Sequence, residues 1–441
     1  MSEYMVNAGC GRITGTREGE AYVFRGVPYA KPPVGALRFA APERLEPFEE
    51  IFHADQYPNR SAQTPWDAPD GFYTKEFYAD PVYRTPISED SLYVNIWTPE
   101  LDPEEKLPVL FYIHGGGFMG GCGHEIEFRT DVYAKRGVVL VTINYRLGIF
   151  GYFAHPWLDN EDAVSCGNYA VLDQIAALDW VRENIAAFGG DPDNITICGQ
   201  SAGGMSVQTI LASRLADGKY KRAVIQSASG YPNVVMKVMP LAEAFEQGEL
   251  AVRYAGVSSL AELRALTMEE LLAVQGKILM EKMTGETGLP FSPVIDGKVL
   301  TETITDAIAN GHMNPVPVII GCTKNDITVT PQEAASRDSM IHRSNVAYSL
   351  KSEEISQNPA YVYQFCRDLP GDSAGAFHSS ELWYTFGTLH ENWRPNTEGD
   401  FALSEEMVSC WSNFAKTGDP GNGWELCTEE HPFVKVFDVK A

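Results

Sequence analysis

Positive charge and long apolar runs are scarce in this chain. Its 34 lysine and arginine residues are outnumbered by 59 aspartate and glutamate residues, which gives a formal net charge of −25. We expect so acidic a chain to bind neither nucleic acid nor an anionic membrane surface. No apolar run approaches the ~18 residues of a membrane span, and the first seven residues do not resemble a signal peptide. The sequence therefore predicts no membrane partner and a cytoplasmic location.

Clustered cysteines are also missing. The eight cysteines form no C-x-x-C motif and no close Cys/His group, so we predict neither a metal site nor a disulfide framework. Most should be buried thiols in a reducing compartment, which agrees with a cytoplasmic location. They are Cys10, Cys122, Cys166, Cys198, Cys322, Cys366, Cys410 and Cys427.

Internal repeats and low-complexity segments are absent, and the length of 441 residues is compatible with two domains or with one large α/β domain. Residues 10–14 and 21–24 are typical of an antiparallel hairpin, and residues 55–88 of a long surface loop. From Leu92 onwards, buried strands alternate with helices, of which residues 172–188 are the clearest. The predicted strands are 93–97, 109–113, 138–143, 195–198, 223–226, 318–321 and 361–365.

This alternation predicts an α/β fold whose central sheet is mostly parallel, with helices on both faces. Residues 240–285 interrupt the strand rhythm with two capping-box patterns, Ser259 with Glu262 and Thr267 with Glu270. We interpret this block as a helical insertion over the carboxyl edge of the sheet.

The segment GQSAG at 199–203 is the first candidate for chemistry. It follows the predicted strand 195–198 and precedes a potential helix, which is the context that a G-x-S-x-G nucleophile elbow requires. Such a turn exposes the serine Oγ at the carboxyl edge of the sheet. An ordinary Gly/Ser loop is the alternative, since five residues alone are weak evidence. The pattern indicates Ser201 as a nucleophile.

A glycine-rich segment upstream offers the complementary group. HGGGF at 114–118 directly follows the predicted strand 109–113. Successive glycines let backbone N–H groups converge on the oxyanion that forms during acyl transfer. We predict that the N–H groups of Gly116, Gly117 and Ala202 form this oxyanion hole, although a glycine loop in isolation is common.

With these motifs in place, the chain resembles the type-B carboxylesterase family, the cholinesterase-like branch of the α/β-hydrolase fold. The resemblance runs nearly end to end, which implies a single α/β-hydrolase domain over residues 1–441. It also implies buried ion pairs between Arg38 and Glu89 and between Arg146 and Asp173. The matching segments are FRGVPYA (24–30), SEDSLYVN (88–95), HGGGF (114–118), NYRLG (144–148), GN (167–168), DQ (173–174), FGGDP (188–192), GQSAG (199–203), FGTL (386–389) and WSNFAKTGDP (411–420).

Ser201 needs a histidine base and a carboxylate that orients it, in the chain order Ser, acid, His. The resemblance implies His378 as the base, with His390 as the alternative. Asp326 follows the predicted strand 318–321 and stands where relatives usually carry glutamate; Glu333 is the reserve. Because Asp is shorter by roughly 1.5 Å, its loop must lie closer to His378.

Departures from the family pattern qualify the expected substrate. Gln200 replaces a frequent glutamate and Ser91 a frequent cysteine, which argues against a choline-ester specialist and for a reducing compartment. Only 378 − 326 = 52 positions separate Asp326 from His378, fewer than is usual, and we predict a more open pocket. We expect its wall to come from residues 60–85, 118–128, 230–240 and 280–292, with Phe118, Tyr231 and Phe291 either lining it or packed in the core.

The predicted function is a serine carboxylic ester hydrolase that acts through an acyl-enzyme intermediate on small or aromatic esters, without a cofactor or metal. The same triad could act on an amide, carbamate, thioester or lactone. A non-catalytic adhesion or scaffold protein of this fold is a third interpretation, disfavoured because Ser201, His378 and the glycines are all present. The partner is a small-molecule ester, and the sequence leaves the oligomeric state open.

Overall fold

The computed structural model describes residues 4–65, 68, 70–159, 164–235, 237–282, 289–327 and 329–440. Every strand predicted from the sequence is present, most of them one or a few residues longer than the prediction. The strands are β1 (Tyr4–Ala8), β2 (Gly11–Glu18), β3 (Ala21–Pro28), β4 (Phe52–His53), β5 (Arg60–Ser61), β6 (Ile87–Ser88), β7 (Tyr93–Thr98), β8 (Leu107–Ile113), β9 (Val139–Ile143), β10 (Gly190–Gln200), β11 (Arg222–Gln226), β12 (Met239–Pro240), β13 (Val294–Ile295), β14 (Val318–Thr323), β15 (Tyr361–Phe365) and β16 (Val434–Phe437).

Twelve of the strands in this described part form one sheet, in the order β1-β2-β3-β7-β9-β8-β10-β11-β14-β15-β16, with β4 paired to β2. Neighbours from β9 to β16 are parallel, whereas β1, β2, β3, β7 and β9 pair antiparallel along the sheet. The predicted, mostly parallel sheet and the N-terminal hairpin are therefore confirmed. The carboxyl ends of the parallel strands share one edge, where the loops that follow β8, β10, β14 and β15 meet.

Helices cover both faces of this sheet. In β8, Val109, Phe111 and Ile113 belong to one hydrophobic cluster, and Leu110 and Tyr112 to the other, because side chains alternate along a strand. The first cluster includes residues of α4 and α5, and the second includes residues of α12 and α13. The helices are α1 (Phe72–Phe77), α2 (Gly148–Tyr152), α3 (Pro156–Asp159), α4 (Tyr169–Asn184), α5 (Ala202–Ala212), α6 (Leu241–Ala255), α7 (Leu260–Ala265), α8 (Met268–Lys282), α9 (Ile304–Ala309), α10 (Pro331–Ser336), α11 (Met340–Ser356), α12 (Leu382–Thr385) and α13 (Glu398–Thr417).

The expected helical insertion appears as α6, α7 and α8, between the two short strands β12 and β13. The Thr267–Glu270 capping box has both of its hydrogen bonds. The other box is half formed, because Ser259 caps α7 while Glu262 accepts from Ser258 instead. The last predicted residues, 283–285, lie outside the described residues.

The long surface loop expected over residues 55–88 is interrupted by short regular elements, and part of it is buried. The segment contains β5, β6 and α1, in which Glu76 and Phe77 are buried. Glu76 accepts two hydrogen bonds from Arg394, and Phe77 stacks on Trp383 at 5.3 Å. Partners more than 300 positions away hold this segment, so local periodicity carried no signal of it.

Both ion pairs implied by the family resemblance are present. Arg38 donates to both carboxylate oxygens of Glu89, and Arg146 donates to both oxygens of Asp173. Among the described residues, no helix is long and apolar enough to cross a membrane.

Candidate active site

The predicted elbow is formed at Ser201, between the end of β10 and the start of α5. Its backbone has φ 56° and ψ −126°, a strained conformation for a residue with a side chain. A Cβ on Gly199 would lie 2.3 Å from the carbonyl carbon of Gly203, and a Cβ on Gly203 would lie 2.0 Å from the Ile113 oxygen. The two glycines are thus required by the close approach of β10, α5 and the end of β8.

The glycine segment after β8 turns beside this elbow. Gly116 and Gly117 have φ values of 104° and 61°, and a Cβ on Gly116 would lie 2.1 Å from the Gly120 oxygen. In the part of the chain that the structure describes, the backbone N–H groups of Gly116, Gly117 and Ala202 donate no hydrogen bond within the protein. All three residues line the same cavity as Ser201, so the structure brings three free donors to the nucleophile candidate.

Asp326 and His378 come together at the same edge, from the loops after β14 and β15. His378 Nδ1 lies 2.6 Å from Asp326 Oδ1. The two loops are joined because Asn325 N donates to the Ala376 oxygen at 3.0 Å, while Asn325 Oδ1 accepts from Ala376 N. These two hydrogen bonds hold the loops close enough for the short side chain of an aspartate to reach the imidazole. The closer approach expected from the replacement of glutamate by Asp326 is therefore present.

The Asp326 carboxylate is fully buried and well supplied with donors. Its oxygens also accept from the backbone N–H groups of Thr323 at 3.0 Å and Ile327 at 2.7 Å. Burial by itself would raise the pKa of Asp326, but the His378 ring, the Ser227 side chain and the Ile327 N–H outweigh burial and hold the pKa below its ordinary value. The site therefore keeps this carboxylate ionised.

The same partner acts on the imidazole in the opposite direction. Burial would lower the pKa of His378, but the Asp326 charge and hydrogen bond outweigh burial and raise the pKa above its ordinary value. Glu381 contributes to this field as well; burial and the neighbouring Asp326 carboxylate raise the pKa of Glu381 to about 7. Its Oε1 lies 3.4 Å from Ser227 Oγ, behind the Asp326–His378 pair.

The other ring nitrogen of His378, Nε2, contacts the side chain of Gln200 and not the hydroxyl of Ser201. Gln200 Nε2 lies 3.3 Å from His378 Nε2. Within the described residues, Ser201 Oγ forms no hydrogen bond with His378, a contact that often tightens only when substrate is bound. The residue that departs from the family pattern is therefore in direct contact with the candidate base.

The alternative residues lie elsewhere. The His390 side chain is 63% exposed and pairs with Glu391, and it lines a different surface depression. Glu333 forms the capping box of α10 with Thr330. Neither residue lines the cavity that holds Ser201 and His378.

This cavity has a volume of about 440 Å³ and a largely apolar wall. Each of the four segments expected to line it contributes, whereas Phe118 and Phe291 are buried in the core and Tyr231 lies outside the wall. The sequence analysis did not identify two acids in the wall, Glu125 and Glu127. The occurrence of two carboxylates in an otherwise glycine-rich and apolar segment could have indicated them. The lining residues are Tyr73, Phe77, Tyr78, Gly115, Gly116, Gly117, Glu125, Glu127, Phe128, Gln200, Ser201, Ala202, Met205, Val234, Val235, Leu289, Ile327, His378, Ser379 and Leu382.

No group of three or more His, Cys, Asp or Glu side chains in the described ranges is arranged to hold a metal ion. All eight cysteines are free thiols. Burial raises the pKa of Cys10 and of Cys166 to about 11, which keeps both thiols protonated at neutral pH.

The chain matches the model of the Carboxylesterase family over residues 2–349 and 332–439. It is 34% identical to the para-nitrobenzyl esterase of Bacillus subtilis (strain 168), over 99% of this chain and 95% of the relative. It is also 38% identical to carboxylesterase 1D of Mus musculus, over 94% of this chain and 85% of the relative.

Solved structures agree with these relatives in fold. A thermophilic PNB esterase superimposes with a TM-score of 0.86 at 32% identity, covering 100% of this chain and 97% of the other. A Geobacillus stearothermophilus carboxylesterase does so with a TM-score of 0.80 at 29% identity, covering 99% and 96%. The central sheet, the elbow and the glycine segment thus belong to an α/β-hydrolase fold. On the family match and these identities, the chain is a member of the carboxylesterase family.

Proposed function

We propose that this enzyme hydrolyses carboxylic esters with Ser201 as nucleophile, His378 as general base and acid, and Asp326 as the group that orients His378. The observation that carries the proposal is the 2.6 Å contact between His378 Nδ1 and Asp326 in the cavity that Ser201 lines. A carboxylate on Nδ1 fixes the tautomer whose Nε2 can accept a proton.

The reaction follows from these positions. His378 Nε2 takes the Ser201 proton as Oγ attacks the ester carbonyl, and the N–H groups of Gly116, Gly117 and Ala202 bind the oxyanion. The imidazolium then protonates the departing alcohol, which leaves an acyl group on Ser201. Water attacks this acyl-enzyme by the same steps and releases the acid.

The cavity favours small or aromatic esters. A volume of about 440 Å³ and a wall of aromatic and aliphatic side chains such as Phe77, Phe128 and Leu289 suit a compact apolar substrate. The relatives, a para-nitrobenzyl esterase among them, support the same substrate class. The short chain between Asp326 and His378 supports a more open entrance on that side.

We further propose that residues 1–441 act as one catalytic domain, with α6, α7 and α8 as an insertion beside the site. A cytoplasmic, reducing location is supported by the eight free cysteines.

The experiment is hydrolysis of p-nitrophenyl esters from acetate to octanoate by the wild type, Ser201→Ala and the control Ser213→Ala. Ser213 is a buried serine outside the cavity wall. We expect Ser201→Ala to lower kcat/KM by about 10⁴-fold or more, Ser213→Ala to stay near the wild type, and the chain-length optimum to measure the acyl pocket. A fluorophosphonate should label the wild type and Ser213→Ala alone. A Ser201→Ala variant that keeps the wild-type rate contradicts the proposal.

A further inference from the structure

The wall of the Ser201 cavity has two kinds of apolar side chain, and they come from different segments of the chain. Within the described part of the wall, the phenyl and phenol rings are those of Tyr73, Phe77, Tyr78 and Phe128. The aliphatic side chains are those of Met205, Val234, Val235, Leu289, Ile327 and Leu382. Because an ester has an acyl end and an alcohol end, the positions of these two groups decide which end each group meets.

Two of the rings lie against the segment that carries His378. Tyr73 Oη donates to the His378 carbonyl oxygen at 3.4 Å. The Phe77 ring stacks on Trp383, five positions after His378, with centroids 5.3 Å apart and an interplanar angle of 9°. The Tyr73 and Phe77 rings are 6.1 Å apart and nearly parallel, at 19°. They therefore form an aromatic wall on the His378 side of the cavity.

Contacts outside the cavity fix this aromatic wall in place. Glu76, which lies between the two rings in α1, is buried and accepts two hydrogen bonds from Arg394. The Phe128 ring packs edge-on against Phe386, also on the segment after His378, at 4.9 Å. Rings that are held before a ligand arrives cost less conformational entropy on binding. The aromatic side of the cavity is therefore preorganised.

Aliphatic side chains lie beside the oxyanion donors instead. Met205 is in the first turn of α5, which begins with Ala202, and Met205 N donates to the Ser201 carbonyl oxygen at 2.9 Å. A Cβ on Gly117 would lie 3.9 Å from Leu289 Cδ2. These two side chains are therefore next to the place where the proposed reaction holds the acyl carbon.

We infer that Tyr73 and Phe77 form a subsite for an aromatic group in the alcohol part of the ester, while the acyl part meets the aliphatic wall. His378 must protonate the leaving oxygen, so the alcohol part extends over the side where these rings lie. Aromatic groups contact one another by offset stacking or edge to face, at centroid distances of about 4.5–7 Å. The inference rests on the proposed esterase function and names its substrate class, aryl or arylmethyl esters of aliphatic acids.

Two isomeric esters test the assignment, because they carry the same group at opposite ends. Benzyl acetate has the phenylmethyl group on the alcohol, and methyl phenylacetate has it on the acid. A saturated pair, cyclohexylmethyl acetate and methyl cyclohexylacetate, replaces the aromatic ring by an aliphatic ring. The measurement is kcat/KM from acid release in a pH-stat. Each value is divided by the rate constant of that ester with hydroxide, so that intrinsic reactivity cancels.

The variants separate the ring of Tyr73 from its hydroxyl. Tyr73→Leu removes the ring, whereas Tyr73→Phe keeps the ring and removes the hydroxyl that meets the His378 carbonyl. Tyr73 is 36% exposed, so either replacement should leave the fold intact. The matched control is Phe401→Leu, which removes an exposed ring of α13 outside the cavity wall.

We expect the wild type, Tyr73→Phe and Phe401→Leu to prefer benzyl acetate over methyl phenylacetate by about 10-fold, in line with the strength of aromatic contacts. The saturated pair should differ by less than about 3-fold, and in Tyr73→Leu the preference within the aromatic pair should fall to about 3-fold or less. A wild-type ratio near 1, an equal ratio in the saturated pair, or a Tyr73→Leu variant that keeps the wild-type ratio overturns the inference. So does a wild type that cleaves p-nitrophenyl acetate but neither isomer.

Ser201→Ala, assayed with the same esters, separates this inference from the esterase proposal. The rate lost in this variant tests the nucleophile, whereas the ratio of the isomers tests the subsite. A Ser201→Ala variant with the wild-type rate and the wild-type ratio refutes the nucleophile and keeps the aromatic subsite. A ratio near 1 in a wild type whose activity requires Ser201 refutes the subsite and leaves the nucleophile in place.

Discussion

Two buried aspartates, Asp173 and Asp326, each contact a basic side chain, and they differ in what the contact allows. Asp173 accepts from Arg146 Nε at 2.8 Å and Nη2 at 2.6 Å, with exposures of 0% and 3%. Asp326 lies 2.6 Å from His378 Nδ1, and the His378 side chain keeps 9% exposure on the cavity. Both pairs have short contacts and little solvent.

The difference lies in the basic partner and in its surroundings. Burial raises the pKa of Asp173 despite Arg146, whereas the donors around Asp326 lower its pKa. Arginine stays protonated under all ordinary conditions, so the first pair can only hold structure together. Histidine exchanges a proton near neutral pH, and its second nitrogen faces a cavity, so the second pair can take part in a reaction. A buried ion pair therefore suits chemistry when one partner titrates and reaches a cavity.

Removing the charge of Asp326 should have the largest effect on activity. Asp326→Asn offers an amide to His378 Nδ1 and favours the wrong tautomer, and we expect kcat/KM to fall by about 10⁴-fold. Tm should fall only modestly, because an Asn oxygen in the place of Oδ2 still accepts from Thr323 N, whereas Ile327 N loses the acceptor it had at Oδ1. Steady-state kinetics and thermal unfolding check both, with the exposed Asp368→Asn as control. A rate within tenfold of the wild type would remove Asp326 from the site.

Breaking the other pair should affect stability instead. Arg146→Met leaves the buried Asp173 carboxylate uncompensated, and we expect the free energy of unfolding to fall by ~3–5 kcal/mol. The folded fraction should keep kcat/KM within a few-fold, because neither residue lines the cavity. Urea unfolding measures the loss, against Arg343→Met, whose pair with Asp338 is exposed and should cost less than ~1 kcal/mol. Equal losses in the two variants would contradict this division of roles.

The smallest effect is expected in the pH profile. His378 must be neutral to act as base, and its pKa is raised, so activity is present above this pKa and is lost as pH falls through it. Half-maximal kcat/KM should therefore lie above pH 6.5, the ordinary value for histidine. Gln200→Glu places a carboxylate 3.3 Å from His378 Nε2 in place of the amide, and should move the acid limb upward by about one pH unit.

Gln200→Met is the matched control, since it removes the amide without adding charge. We expect it to leave the acid limb within a few tenths of a pH unit of the wild type. An equal shift in both variants would show that the amide contact, rather than charge, sets the profile.

Local sequence was sufficient to predict a feature of the site where the backbone conformation there requires particular residues. Gly199 and Gly203 flank Ser201 because a Cβ at either position would lie within 2.3 Å of neighbouring backbone atoms. This steric requirement is visible in the sequence as a five-residue motif. Alternating and continuous apolar runs likewise predicted the parallel strands. The prediction of Asp326 and His378 needed the family resemblance in addition, because a single acid or histidine has no local pattern.

Other features depend on contacts between distant positions. The fold of residues 72–77 depends on Glu76 meeting Arg394, and the exclusion of His390 depends on its position outside the cavity. That Glu125 and Glu127 are both buried in the cavity wall became visible only in the structure. None of these contacts produces a periodic pattern or a fixed spacing in the sequence from which it could be predicted.

The sequence by itself determined the α/β class, the elbow at Ser201, the glycine donors and the family, because each depends on neighbouring residues or on many ordered motifs. The tertiary structure decided which carboxylates keep their charge, that His378 rather than His390 meets Asp326, and which side chains of the expected segments line the cavity. The physical reason is that hydration, hydrogen-bond donors and counter-charges around a buried group come from segments that only folding brings together.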